Sequence, residues 1–382
     1  MHHFLIFAII TETFKKGHFS MKRILLLLLT LCLLLCACGT PAEPTETTTA
    51  PTTAATTAPT TAATTAPTTE ATTEPTEPPV LYRNPLNGEA LEAPYTGRIF
   101  ASTINNIEEA LPHRGISQAD LFFEMFCNGY VTRGLAMFSN VTEVDSIGSI
   151  RSNRYNFTDL CQAYNAVLIH ASASKAVLQD MKESGIANMF ADEPIGYRDN
   201  DRYKKQGYLW EHCLFANGQS LWNAAEKQNI KLSLTDKDYG MHFEEDATPA
   251  NGQSASEVEI AFTLYDYVKT STMKYDAQLD KYIYNQYGKE MVDESTDAPE
   301  AFRNVIVILA PTHNEKGYHI ADLSGSGEGY FACGGKMVPI LWSHAEETEP
   351  FIFTLTDGTP LIQGVGSTYI AIAPTGSPVT AK

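Results

Sequence analysis

Basic residues are scarce in this chain. Its 382 residues include 27 Lys and Arg against 45 Asp and Glu, which gives a formal net charge of −18 at pH 7. Proteins that hold nucleic acid on a broad surface neutralise its phosphates with many Lys and Arg side chains. The composition therefore excludes a broad nucleic-acid-binding face, and we expect no nucleic-acid partner.

Short catalytic and metal-binding motifs are also missing. The sequence contains no H-E-x-x-H and no C-x-x-C, and neither Ser172 nor Ser174 lies in a G-x-S-x-G turn. These spacings hold zinc or present a nucleophilic serine. The sequence therefore predicts no metal and no cofactor, and it leaves open whether the protein is an enzyme.

Cysteines are few in the part of the chain expected to fold. Cys127, Cys161, Cys213 and Cys333 each lie beside apolar residues. An even number of cysteines permits disulfides in an exported protein, whereas an apolar context is typical of buried free thiols. Both states remain open from the sequence.

The N-terminal segment has the features of an export signal. After Met21, which we expect to be the start of translation in preference to Met1, two basic residues precede an apolar run at 24–35 that is short for a membrane span. The run ends in LCAC, which resembles the lipobox of bacterial lipoproteins. We therefore predict a signal peptide over residues 1–37 and lipidation of Cys38. The lipid would anchor the protein on the extracytoplasmic face of a Gram-positive-type cell membrane.

An eight-residue repeat follows this signal. It reads TAPTTAAT at 49–56 and 57–64, and TAPTTEAT at 65–72. The repeat has no apolar period that could pack into a core, and its proline and threonine favour extended backbone. Residues 38–79 are therefore predicted to form a disordered Thr/Pro-rich stalk, which reaches at most about 120 Å from the membrane.

The next segment, 80–245, alternates strand and helix patterns. Short apolar runs predict four strands, at 99–104, 121–126, 135–141 and 166–170. Helical spacing of apolar side chains predicts three helices, at 157–164, 177–181 and 221–225. Ser174 is placed to cap the second helix and Gly185 to end it. The alternation predicts an α/β domain.

An acidic, small-residue stretch at 243–257 predicts a linker, and beyond it the patterns are those of strands alone. Nine strands are predicted, at 258–268, 272–275, 282–286, 305–309, 318–321, 329–331, 337–342, 351–355 and 368–372. The pairs at 334–335 and 357–358 are typical hairpin turns. Residues 255–382 are therefore predicted to be a mostly antiparallel β domain, which makes the fold class α+β.

Several segments resemble a known family. They read NNIEEALPHRGISQADLFFEMF (105–126), IGSIRSNR (147–154), AVLIHASAS (166–174), FRNVIVILAP (302–311) and ADLSGSGEGYFACGGKMVPILW (321–342). In the same order, they resemble segments of the YerB-like lipoproteins of Firmicutes, which carry the N- and C-terminal domains of domain of unknown function 3048. The resemblance implies the fold and the membrane-anchored location, and it implies no chemistry.

Charged and polar residues gather at the predicted strands of the first domain. The candidate site residues are Asp120, Glu124, Arg133, Arg151, Ser152, Arg154, His170 and His212. Charges at such positions rarely lie unpaired in a core. They predict either an ion-pair network that uses the two acids or a site for an anionic cell-wall or lipid-linked ligand. The position of two arginines before a helix favours phosphate or carboxylate.

Two further functions stay open. Asp120 or Glu124 as base with His170 as acid would make an envelope hydrolase or phosphotransferase. Residues 132–154 are also similar to the strand, hairpin and arginine sequence of the LytR-CpsA-Psr envelope enzymes, although Ser152 replaces the aspartate that follows the arginine there. A β domain that docks an unknown protein partner would instead make a scaffold.

Overall fold

The computed structural model describes residues 82–234 and 237–382. The signal peptide, the lipidation of Cys38 and the stalk are predicted for residues outside these ranges. Within them the protein is a mixed, sheet-rich fold of α-helices and β-strands. None of the helices in the described ranges has the length and apolar character needed to cross a membrane.

The first part of the described chain contains all of its α-helices. The helices are α1 (Tyr155–Ala163), α2 (Lys175–Ser184), α3 (Asn200–Lys204) and α4 (Gly218–Lys227). The strands are β1 (Tyr82–Arg83), β2 (Ala90–Leu91), β3 (Phe100–Asn105), β4 (Leu121–Asn128), β5 (Val131–Phe138), β6 (Ile147–Gly148), β7 (Val167–His170), β8 (Asn188–Phe190), β9 (Gly196–Arg198), β10 (Leu214–Ala216) and β11 (His242–Glu244). Short 3-10 turns lie at Glu108–Ala110, Ile116–Gln118, Val141–Glu143 and Trp210–His212.

The second part, as predicted, contains strands and no α-helix among its described residues. The strands are β12 (Gln253–Ser254), β13 (Glu257–Leu264), β14 (Tyr267–Asp276), β15 (Lys281–Gln286), β16 (Lys289–Glu290), β17 (Ala301–Phe302), β18 (Asn304–Ala310), β19 (Thr312–Glu315), β20 (Tyr318–Ala321), β21 (Gly325–Cys333), β22 (Lys336–His344), β23 (Ile352–Leu355), β24 (Ile362–Gly364), β25 (Thr368–Pro374) and β26 (Val379–Ala381).

The largest sheet draws strands from both parts of the chain. Its order is β12-β22-β21-β18-β25-β4-β5-β3-β7-β8, with β23 beside β22. The two parts join where β25 runs parallel to β4, with Ala371 opposite Glu124. The sequence predicts most of these strands but does not predict that they share one sheet. The domain boundary between 245 and 255 stays a prediction.

Both faces of the large sheet are covered. On one face, Phe122 of β4 packs with Ile260 and Tyr284 of a smaller sheet, in which the strands run β16-β15-β14-β13-β26. On the other face, Phe123 of β4 packs with Phe157 of α1. Successive side chains of a strand point to opposite faces, and because both faces are covered, β4 is apolar along most of its length, with Glu124 as the one charged residue. We call these the small-sheet face and the helix face.

The three predicted helices are present as α1, α2 and α4, the predicted ends of α2 are confirmed, and α3 was not predicted. Ser174 caps α2 by accepting a hydrogen bond from the backbone N–H of Val177 at 3.3 Å. Gly185 ends the helix with a φ of 66°, which is the left-handed conformation that favours glycine. Residues 157–164 bury their apolar side chains on the helix face of the large sheet.

The predicted strand at 258–268 is confirmed as far as Leu264 and is wrong beyond it. β13 ends at Leu264, Tyr265 adopts a φ of 53°, and β14 then runs through the predicted gap at 269–271. The turn residues Tyr265 and Asp266 include no glycine or asparagine, so they give little hairpin signal. The error matters because it hides an inward-facing lysine in β14.

The predicted linker at 243–257 carries short strands. It contains the end of β11, which pairs with β24, and β12, which pairs with β22. The predicted Gly-Gly turn is confirmed, since Gly334 and Gly335 join β21 to β22 with φ values of 58° and 74°. β5 also begins earlier than predicted, at Val131, and Val141 lies in a 3-10 turn.

Candidate functional site

Three of the predicted arginines meet on the helix face of the large sheet. Arg133 lies on β5, and Arg151 and Arg154 lie in the segment that leads from β6 into α1. Arg133 Nη1 donates a hydrogen bond of 2.6 Å to the carbonyl oxygen of Ser152. Arg154 Nη1 donates to the same oxygen at 3.4 Å and to the carbonyl of Asn153 at 2.8 Å. We call these three side chains the arginine cluster.

The arginine cluster has few acidic partners. Among the described residues, no carboxylate oxygen lies within 4 Å of Arg133 or Arg154, and Arg151 has one, the exposed Glu211 at 3.6 Å. The Nε atom of each arginine is buried and has no hydrogen-bond partner. Burial, with further repulsion from Arg154 and Arg151, lowers the pKa of Arg133 to about 10. The cluster therefore concentrates positive charge that is only partly neutralised, by Glu211 beside Arg151.

The backbone around the arginine cluster is fixed by its neighbours. The N–H of Asn153 donates to the carbonyl of Ser172 at 2.7 Å, and the N–H of Ala171 donates to the carbonyl of Arg151 at 2.9 Å. Arg154 occupies the N-cap position of α1 and makes no capping side-chain hydrogen bond. The cluster thus lies beside the N-terminal end of a helix, where partial positive charge favours anions.

Glu124 lies on the opposite face of the same sheet. It is fully buried, and its two oxygens accept hydrogen bonds from Asn106, Thr132, Lys269, Ser271, Tyr284 and Tyr369. Burial acts to raise its pKa, but the charge of Lys269 and these donors outweigh it and hold the pKa of Glu124 below its ordinary value. The structure therefore does not bring Glu124 together with the arginine cluster. The physical reason is strand alternation, which places Glu124 and Arg133 on opposite faces.

Asp120 is likewise separate from the arginine cluster. Its carboxylate accepts hydrogen bonds of 2.6 Å from Asn87 Nδ2 and from the backbone N–H of Ser139. Burial raises the pKa of Asp120 to about 6. It precedes β4 by one residue, roughly 13 Å along the strand from Glu124. The ion-pair network predicted from the two acids and the arginines is not present among the described residues.

The two predicted histidines occupy different environments. His170 is buried, with Nδ1 3.0 Å from the carbonyl oxygen of Ser172 and its ring 4.5 Å from that of Phe190. Burial lowers the pKa of His170. It is not within reach of Asp120 or Glu124 as the acid of an acid–base pair would be. His212, in contrast, lines an open cleft.

That cleft has a volume of about 920 Å³ and is lined by residues from both parts of the chain. Glu109, Glu211 and His212 come from the first part of the chain, and Lys269 and Gln286 come from the second. Sequence reasoning missed Lys269 because the predicted strand stopped at 268. Lys269, Ser271 and Met273 are buried at alternate positions of β14, but Lys and Ser give no apolar alternation in the sequence that would have revealed this.

Other candidate chemistry is limited. Among residues 82–234 and 237–382, no group of three or more His, Cys, Asp or Glu is placed to hold a metal ion. Cys127, Cys161, Cys213 and Cys333 are all buried free thiols. Burial raises the pKa of Cys127, which makes its thiolate, the nucleophilic form, scarcer.

Comparisons with known proteins cover most of the described chain. Residues 86–231 match the family described as "Protein of unknown function (DUF3048) N-terminal domain", and residues 258–370 match its "C-terminal domain". The chain is 24% identical over 302 residues to "Putative lipoprotein YerB" of Bacillus subtilis (strain 168), which covers 76% of this chain and 88% of that protein. It is also similar in fold to the crystal structure of YerB protein from Bacillus subtilis. That match has a TM-score of 0.67 and 23% identity, and covers 78% of this chain and 99% of the other.

Proposed function

This chain belongs to the DUF3048 family, and from that premise we propose that it is a lipid-anchored envelope protein that binds an anionic group through its arginine cluster. The lipobox before Cys38 and the name of its lipoprotein relative support the anchor. The repeat at 49–72 would project the folded part away from the membrane surface.

The lack of carboxylates around the arginine cluster carries the proposal. Arg133 is 5% exposed, and no described carboxylate neutralises it. A buried guanidinium without a counter-charge is costly unless something pairs with it. Asp120 and Glu124, the acids that a purely structural network would use, are engaged elsewhere. A bound anion would supply the missing charge and accept from the unpartnered Nε groups.

The chemistry of the arginine cluster favours phosphate, pyrophosphate or carboxylate. A guanidinium presents planar N–H donors that match two oxygens of such groups at once. Arg151 and Arg154 are only partly buried, so an incoming ligand can reach them. Arg133 lies behind them and adds charge. In an envelope protein, these groups occur on wall polymers and on lipid-linked precursors, which are the partners we propose.

Titration of the full chain with inorganic pyrophosphate tests this proposal. Arg151→Gln/Arg154→Gln should weaken binding roughly tenfold or more, because each charge-assisted hydrogen bond to an anion contributes about 1.5–3 kcal/mol. Arg83→Gln is the matched control, since Arg83 is a partly exposed arginine outside the cluster. Calorimetry measures the dissociation constants. Equal affinity in the double variant and the wild type would refute the proposed site.

A further inference from the structure

The cleft lies next to the arginine cluster, because Glu211, one of its lining residues, is 3.6 Å from Arg151. Arg133, Arg151 and Arg154 are not among its lining residues. Four carboxylates line it, those of Glu108, Glu109, Glu211 and Glu257, against two lysines, Lys269 and Lys274. Lys269 is already paired with Glu124. Glu108 is paired with Lys289, Glu257 with Lys382 and Glu211 with Arg151. Among the described residues, Glu109 is therefore the lining carboxylate without an ion-pair partner and Lys274 the corresponding lysine, so the charge of the cleft is nearly balanced and Glu109 is its free site for a cation.

Gln286, which lines the cleft, has one acceptor atom without a hydrogen-bond partner among the described residues. Glu124 accepts only, so Asn106 Nδ2 donates to it, at 2.9 Å. The other end of that amide, Asn106 Oδ1, must then accept, and Gln286 Nε2 donates to it at 2.6 Å. Gln286 Oε1 is consequently left as an acceptor, and it has no partner among the described residues. Gln286 is only 2% exposed, so an unpartnered oxygen there is costly.

His212 supplies a donor in the same cleft. Asn105 Nδ2 lies 2.9 Å from His212 Nδ1 and donates to it, which leaves the proton of the neutral ring on Nε2. Burial and the nearby charge of Arg151 lower the pKa of His212, which favours this neutral form. The nearest carboxylate oxygen to Nε2, on Glu211, is 3.9 Å away and beyond hydrogen-bonding distance. The cleft therefore offers a free acceptor and a free donor, the complement of an amide group.

The rim adds a free carboxylate and apolar surface. Glu108 pairs with Lys289 at 2.9 Å and Glu257 with Lys382 at 2.6 Å, whereas Glu109 has no ion-pair partner among the described residues. Apolar contact area comes from the exposed side chains of Tyr130, Leu209 and Val268. Such a rim suits a ligand with an amino group and side chains of its own.

We infer that the cleft is a second binding site, for a short peptide that carries a free amino group. Its amide N–H donates to Gln286 Oε1 and its amide carbonyl accepts from His212 Nε2. Its ammonium group lies against Glu109 at the rim. An N-acetylated sugar also contains an amide, but it is neutral and would leave Glu109 without a counter-charge.

Three probes distinguish these ligands: a lysine-containing tetrapeptide with free amines, the same peptide with its amines acetylated, and an N-acetylglucosamine tetramer. The affinity of each for the full chain is measured by calorimetry. The free-amine peptide should bind most tightly, and acetylation should weaken it about threefold for each exposed ion pair lost. Equal binding of the acetylated peptide, or tighter binding of the sugar tetramer, would overturn the inference.

Two variants locate the binding. Thr270→Trp adds bulk from an exposed position in the cleft and should weaken peptide binding roughly tenfold. Glu109→Gln should weaken it about threefold. The controls are Thr356→Trp and Glu328→Gln, which change exposed residues outside the cleft and should have no effect. Thr270→Trp should bind pyrophosphate as tightly as the wild type does. The proposed peptide site and the proposed anion site are therefore tested independently of each other. Unaltered peptide affinity in Thr270→Trp would exclude the cleft.

Discussion

The two faces of the β4–β5 hairpin differ in how far their buried charges are neutralised. On the small-sheet face, Glu124 accepts hydrogen bonds from six side chains and is paired with Lys269. On the helix face, Arg133 donates to one carbonyl, and no described carboxylate neutralises it. The two side chains are nine residues apart in sequence but separated by the sheet itself.

This difference distinguishes a buried charge that stabilises the fold from buried charges that are available to a ligand. The Glu124 network joins strands from both parts of the chain, because Asn106 and Thr132 belong to the first part and Lys269 and Tyr369 to the second. Its hydrogen-bonding capacity is used within the fold, which is typical of a structural ion pair. The arginine cluster retains unused donors and uncompensated charge, which is what a ligand site requires.

Removing Glu124 should produce the largest effect, because it leaves Lys269 as an unpaired buried charge. We expect Glu124→Leu to lower the free energy of unfolding by about 3–5 kcal/mol, as measured by urea denaturation. Glu124→Leu/Lys269→Met removes both charges and should recover most of that loss. The comparison fails if the single variant is as stable as the wild type, or if the double variant is no better than the single.

Asp120 provides an intermediate case, a buried carboxylate on the same chain segment with no cation beside it. The pKa of Asp120 is about 6 in the folded protein, against an ordinary value of 3.8, so the folded state binds this proton more tightly than the unfolded state does. The resulting stabilisation is fully present below pH 3.8 and is lost as pH rises through 6. Through Asp120 alone, the free energy of unfolding should therefore be about 1.5 kcal/mol higher at pH 5 than at pH 7.5. Urea denaturation at the two pH values measures the difference.

Asp120→Asn should remove that pH dependence while leaving the contributions of other groups. Asp159 acts in the same direction, because burial raises its pKa to about 7, whereas burial lowers the pKa of His170 and of His212, which act in the opposite direction. Glu124, whose pKa is lowered, loses stability only as pH falls below its ordinary value of 4.5, outside this window. An unchanged pH profile in Asp120→Asn would show that its carboxyl is not shifted.

Arg133→Met should have the smallest effect on stability. It removes a buried cation that repels Arg151 and Arg154, so we expect the free energy of unfolding to change by less than about 1 kcal/mol, in the stabilising direction. Thermal unfolding should also lose the stabilisation that pyrophosphate gives the wild type. A loss as large as that of Glu124→Leu would mean that both faces of the hairpin are structural.

Much of the local structure follows from sequence patterns. The helices around Phe157, Val177 and Leu221, with the cap at Ser174, are confirmed because apolar spacing and capping are local signals. The family resemblance is confirmed by matches to both of its domains. The existence of most strands is also predictable. Their pairing is not, because the parallel contact between β25 and β4 depends on residues about 250 positions apart.

The site is less predictable than the fold. Glu124 lies in a predicted strand and Arg133 lies two residues before another, but their faces depend on the register of β4 against β5, which the local pattern does not give when both faces are apolar. Lys269 was hidden by a turn without glycine, and Gln286 is distinguished only by its partners in the fold. The ligand, the domain boundary and a protein partner stay predictions.

The most direct test of the central claim is a crystal of the protein soaked in selenate, whose anomalous scattering locates a bound anion. We predict a peak beside Arg133, Arg151 and Arg154, within hydrogen-bonding distance of at least two of them, and its disappearance in crystals of Arg151→Gln/Arg154→Gln. No peak at the arginine cluster in the wild type, or an equal peak in the double variant, would contradict the assignment of this face to anion binding.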